Sequence, residues 1–165
     1  MIMNNINFKA MEQVATGIKE NPELGLKKWT AHLKWKDGTE NTVFLRDFAP
    51  LVIDEPSQLG GTDKGANPVE HLIAAAVSCF AITFEVFASK ADIKLEEVSV
   101  DIEADLNVAV FLGIEEGDLG ILNPVVKLKA STSASKEKVQ EIANLALSAS
   151  PVIKSLNTEV ALVIE

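Results

Sequence analysis

Asn67-Pro-Val-Glu-His-Leu-Ile-Ala-Ala-Ala-Val-Ser-Cys-Phe-Ala-Ile-Thr-Phe-Glu-Val-Phe-Ala-Ser-Lys90 reads as one long helix around which the rest of the chain is arranged. Asn67 is a strong N-cap, Pro68 suits the first helical position, and Glu70 can reach back to complete a capping box. The glycine-rich Leu59-Gly-Gly-Thr-Asp-Lys-Gly65 just upstream allows a sharp entry. From Val69 to Ala88 only Glu70, His71 and Glu85 carry charge or can carry it. A helix that is apolar on every face is expected to be buried on every face. A membrane span of about 20 apolar residues is the rival. Against it stand Glu85, the high alanine content and strand-like flanks that lack Lys/Arg clusters, so the helix is read as the central helix of a soluble protein.

Working outward, 165 residues predict a single domain with a proper core, and a hydrophobic content of 47% fits a globular chain without internal repeats. A net charge of −9 disfavours nucleic acid and anionic membrane surfaces as partners. Aromatic content of 5%, with no tyrosine, argues against a stacking platform for bases. Met1-Ile-Met-Asn-Asn shows no basic region followed by an apolar core, and one cysteine cannot form an internal disulfide; both predict a reducing cytoplasm.

Asn7 to Glu20 has the period of an amphipathic helix, with Phe8, Met11, Val14, Ala15 and Ile18 on one stripe, ended by Asn21-Pro22. Trp29, Ala31, Leu33 and Trp35 alternate with polar residues as in a strand with one buried face. Asp37-Gly38 predicts a two-residue hairpin turn, with Thr42 to Arg46 as the returning strand and Pro50 to Ile53 as a short extended piece. Beyond the central helix, Leu95 to Leu112 alternates as a long strand with a break near Asn107. Gly113 to Gly120 reads as an acidic, solvated loop and Val125 to Ala130 as a strand. Ser135 should cap a helix with Val139, Ile142, Ala143 and Ala146 inside, and Val160 to Ile164 should form the last strand. The order α-β-β-α-β-β-α-β indicates an α+β fold, antiparallel sheets packed on a long buried central helix. One small sheet covers one side of such a helix, so a homodimer is expected to cover the rest.

Metal binding finds little support, because His32, His71 and Cys79 are few and lack ligand spacing. Nothing marks a cofactor site: no serine sits in a nucleophile elbow, and Gly60-Gly61 has no phosphate-loop pattern. The chemically distinctive residue is Cys79, although free cysteines are often inert core thiols. His71, eight residues earlier and roughly 12 Å along the helix, is too far to be its base. A helix-start histidine beside Glu70 or facing solvent is the plainer reading. Glu85 on a buried helix calls for a partner, either a lysine or the dimer surface.

Gln58-Leu-Gly-Gly, Asn67-Pro-x-Glu-His-Leu and Ala-x-Ser-Cys-Phe80 together resemble the OsmC/Ohr family, the osmotically inducible and organic hydroperoxide resistance proteins. Ser150-Pro151-Val-Ile-Lys-Ser-Leu156 falls where that family has Cys-Pro-Val-Ser-x-x-Leu. The resemblance runs over nearly the whole of residues 1–165, with residues 1–22 as an N-terminal helical addition. It implies an intertwined dimer in which a helix cysteine attacks a small hydrophobic hydroperoxide and a second cysteine resolves the sulfenic acid as a disulfide. It also implies that an arginine and a glutamate hold the first cysteine as thiolate, and that an external dithiol is the reductant. Carried over, Cys79 matches the peroxidatic cysteine. Ser150 stands in the resolving position, where a hydroxyl cannot form a disulfide. Gln58 replaces the glutamate before Leu-Gly-Gly. Lys36 replaces the arginine before Asp-Gly, keeping the charge without the planar fork; Arg46, in the returning strand, is the alternative cation. The resemblance leaves two expectations: a one-cysteine, thiol-dependent hydroperoxide reductase, or a catalytically degenerate dimer that binds another apolar ligand or serves a structural role.

Overall fold

The computed structural model describes residues 2–165. The elements, in chain order, are β1 (Ile2–Met3), β2 (Ile6–Asn7), α1 (Phe8–Glu20), β3 (His32–Asp37), β4 (Glu40–Phe44), β5 (Leu51–Ile53), α2 (Pro68–Lys90), β6 (Leu95–Asp105), α3 (Val108–Phe111), β7 (Leu122–Thr132), α4 (Lys136–Ala149), α5 (Pro151–Ser155) and β8 (Ala161–Ile164). The fold is α+β. Contacts divide it into two compact units, Met1–Phe8 with Ile73–Glu165, and Lys9–Leu72.

In the larger unit, the sheet has the order β6-β7-β8, with β6 and β7 antiparallel. β8 lies parallel to β7, a departure from the expected all-antiparallel arrangement. Alternation in β6 turns Leu95, Val98, Val100 and Ile102 toward the core. The core is made by an i, i+4 row of α2 (Ala76, Phe80, Phe84 and Ala88), by Val126 and Leu128 of β7, and by the inner stripe of α4. That stripe is Val139, Ile142, Ala143 and Ala146, as its spacing predicts, and Ser135 caps α4 by accepting from the Lys138 N–H at 3.3 Å. β7 begins three residues before its alternating run, at Leu122. Asn123 is left-handed and Pro124 is buried at a register shift opposite Glu103 and Asp105, where a missing ladder N–H is tolerated. The break near Asn107 is real, but the chain beyond it forms a helical turn and not a strand: Asn107 Oδ1 accepts from the N–H groups of Ala109 and Val110 and caps α3.

The smaller unit holds the sheet β3-β4-β5, antiparallel throughout. The hairpin turn is Gly38-Thr39 and not Asp37-Gly38, since Asp37 pairs with Glu40 after a register shift at Lys36. Gly38, at φ +52, takes the left-handed position that the turn needs. Leu33, Val43 and Leu51 lie side by side across the sheet, yet Leu33 is 52% exposed and Trp35 68%. The alternation expected for a buried face is therefore present, while the chain leaves that face open. The stripe of α1 behaves alike: Val14 is 60% exposed, and Met11, Val14, Ala15 and Ile18 line an apolar groove.

α2 departs most from expectation. By length and composition its 23 residues could cross a membrane, and only 28% of its most apolar window is buried inside the chain. Burial follows the single row from Ala76 to Ala88; Leu72, Ala75, Ser78 and Ile82 are exposed.

Candidate functional site

The entry to α2 is built as its sequence dictates. Glu70 N–H donates to Asn67 Oδ1 at 2.9 Å and Asn67 N–H donates to Glu70 Oε2 at 2.7 Å, a reciprocal capping box. The loop before it is organised by Asp54, 1% exposed. The Asp54 carboxylate accepts from the hydroxyls of Thr39 and Thr62, each at 2.6 Å, and from the N–H groups of Glu55, Thr62 and Lys64. The two hydroxyls, helped by the backbone donors and opposed by burial, hold its carboxyl well below the usual carboxylate range. Gly61 packs so closely that a Cβ there would collide with the Glu55 carbonyl. Nothing in a single sequence marks Asp54 beyond its place ahead of a glycine-rich loop that carries a threonine.

Cys79 lies on α2 one residue before Phe80, about 100° around the helix from the buried row. It is half-buried, beside Ala75, Thr83 and Val86 at helical spacing, and its carbonyl accepts from Thr83 Oγ1 at 2.8 Å. The core is filled by its neighbours Ala76 and Phe80, each 0% exposed, and not by the thiol. Ser150 is fully buried where α4 gives way to α5; its hydroxyl donates to the Ala146 carbonyl at 2.6 Å.

Lys36 and Gln58 belong to the smaller unit. Lys36 Nζ donates to Glu40 Oε1 at 2.7 Å, and Lys64 Nζ donates to Glu40 Oε2 at 2.6 Å. The two ammonium groups keep the Glu40 carboxyl below its usual range, and Glu40 in turn pushes Lys64 up. The charge of Lys36 thus has a carboxylate partner four residues away, which the spacing of motifs in the sequence does not announce. Gln58 is exposed on a single turn of 3₁₀ helix, Ser57–Leu59. Arg46 is left-handed at φ +50 and its guanidinium lies 4.6 Å over the Phe48 ring.

His71 is half-buried, and its Nε2 is enclosed without a hydrogen-bond partner. Glu85 is raised above the usual carboxylate range by burial. Among the described residues it takes part in no ion pair, so of its two expected partners, a lysine or the dimer surface, the lysine is not found.

The family model described as OsmC-like protein matches residues 61–165. The uncharacterized protein YmaD of Bacillus subtilis is 29% identical over 73 residues, 43% of this chain and 49% of that protein. The match thus spans about half the length of that curated relative. Among solved structures, the OsmC-like protein from Mycoplasma pneumoniae superposes with a TM-score of 0.72 at 14% identity, covering 84% of this chain and 96% of that one. An organic hydroperoxide resistance protein from Elizabethkingia anophelis gives 0.66 at 19%, covering 84% and 94%. A Legionella pneumophila protein of the same description gives 0.61 at 21%, covering 84% and 97%.

Proposed function

The chain belongs to the OsmC-like protein family, and on that premise we propose that it is a one-cysteine, thiol-dependent reductase of organic hydroperoxides acting through Cys79 as a homodimer. The carrying observation is the place of Cys79: it stands beside the buried row of α2, half-buried in the single chain, and leaves the core packing to Ala76 and Phe80. The hydroperoxide resistance proteins that share the fold supply the substrate class.

In the proposed cycle, the Cys79 thiolate attacks the outer oxygen of the hydroperoxide. The S–O bond forms as the O–O bond breaks, and the alkoxide leaves and takes a proton as the alcohol. Ser150 offers no second thiol, so an external thiol attacks the sulfenic acid and releases water. A second thiol then frees Cys79 and leaves as the external disulfide, giving two thiols oxidised per hydroperoxide reduced. A reducing cytoplasm supplies such thiols. Apolar residues exposed beside Cys79 on α2 suit an alkyl or aryl hydroperoxide, and the uncovered faces of α2 and the β3-β4-β5 sheet are the surfaces a second copy would cover.

The degenerate ligand-binding dimer is favoured by one observation, the engagement of Lys36 by Glu40, which offsets the cation a thiolate would call on. Mass spectrometry after hydroperoxide treatment in the presence of a sulfenic-acid trap separates the two. An adduct at Cys79 supports the enzyme. A thiol that stays reduced under excess hydroperoxide in the folded protein leaves the ligand-binding reading.

A further inference from the structure

Two stretches of the chain are exposed throughout, and their charges are opposite. Every residue of 24–36 is exposed, with Leu26 at 91% and Trp29 at 79% ahead of Leu33 and Trp35 on β3. This strap carries Lys27, Lys28, Lys34 and Lys36 and no acidic residue. Lys36 is held by Glu40 and Lys34 lies 5.6 Å over the Phe44 ring, whereas no ion pair among the described residues engages Lys27 or Lys28. Every residue of 111–120 is exposed as well. That loop combines Phe111, Leu112, Ile114 and Leu119 with Glu115, Glu116 and Asp118, and has no basic residue. Its backbone is held in place: the N–H groups of Ile114 and Glu115 donate to the Ala109 carbonyl at 2.8 and 3.3 Å, and the Gly120 N–H donates to Asp118 Oδ1 at 2.8 Å. Gly113 takes the left-handed conformation at φ +71, and a Cβ on Gly117 would press on Val110 at 2.9 Å. A fixed frame that leaves four large apolar side chains in water has the character of an interaction surface.

We propose that the strap of a second copy of this chain covers the loop, with Lys27 and Lys28 against Glu115 and Glu116 and with Leu26 and Trp29 on the loop's apolar side chains. The inference rests on the homodimer of the proposed function and adds to it the surfaces that meet. Both stretches are exposed in the single chain, so its own fold does not join them. A two-fold pair of chains gives each loop the other's strap and makes the same contact twice. Charge selects this pairing. Strap on strap or loop on loop would set like charges together, and strap on loop sets lysines against carboxylates as apolar surface leaves water.

Carbodiimide, which joins a lysine amine to a carboxylate without a spacer, reads the contact in the wild-type protein. Equal amounts of unlabelled and isotope-labelled chain are refolded together from urea, cross-linked, digested and analysed by mass spectrometry. Links from Lys27 or Lys28 to Glu115 or Glu116 should appear, with as many mixed-isotope pairs as same-isotope pairs. Same-isotope pairs alone would place the contact within one chain and overturn the proposal. A protein that sediments as a dimer without these links overturns the pairing and leaves the proposed function standing; a monomer overturns the homodimer together with the pairing. Charge reversal gives a second reading. Lys27→Glu with Lys28→Glu should raise the dimer Kd roughly tenfold, the scale of a few exposed charge pairs, and adding Glu115→Lys with Glu116→Lys should restore it. A dimer Kd unmoved by the first pair of substitutions, or not recovered by the second, overturns the pairing.

Discussion

Ser150 and Asp54 are both buried oxygen-bearing side chains, and they do different work. The Ser150 hydroxyl closes a bond to the last turn of α4, so Ser150→Ala should cost about 1 kcal/mol in chemical denaturation and leave hydroperoxide reduction unchanged. Asp54 ties a loop together as an anion. Its carboxyl lies below the ordinary 3.8, so its stabilisation is complete above that value and is lost as pH falls beneath it. Urea midpoints should therefore drop on acidification from pH 5 to pH 3. Asp54→Asn should start lower at pH 7 and show a shallower drop. A motif singles out Cys79, whose role is proposed, whereas nothing in the sequence singles out Asp54, Glu40 or Lys64. Their importance comes from partners 8 to 24 residues away that only the fold brings together.

For single elements, legibility tracked how local the cause is. The Asn67 and Ser135 caps, the α4 stripe and the β6 alternation depend on neighbours within a few residues, and all appear as their patterns predict. The turn at Gly38-Thr39, the Asn123-Pro124 irregularity and the helical turn after Asn107 depend on strand register, which alternation alone does not set. Burial was the least local property. The apolar patterns of α1, α2 and β3 are real, but an apolar face names a need for cover without naming what covers it. Within α2 the row that is covered should dominate stability: Phe80→Ala should cost roughly 3–5 kcal/mol in equilibrium unfolding, while Ile82→Ala on the open face should cost far less in a dissociated chain.

For the whole molecule, exposed Leu33, Trp35, Leu72 and Ile82 are the residues that the proposed homodimer would cover, since monomers rarely leave such faces open. Sedimentation at micromolar concentration should show a dimer, and Ala75→Glu, at a position exposed in the single chain, should yield a folded monomer. A wild-type monomer, or an Ala75→Glu dimer of unchanged stability, would remove that inference. Catalysis by Cys79 alone can be read from steady-state consumption of an organic hydroperoxide in the presence of a small thiol. Wild-type protein should consume hydroperoxide only when thiol is present, with about two thiols oxidised per hydroperoxide reduced, and Cys79→Ser should fall to the rate of thiol alone. A wild-type rate equal to that of thiol alone, or a Cys79→Ser rate equal to wild type, would contradict it.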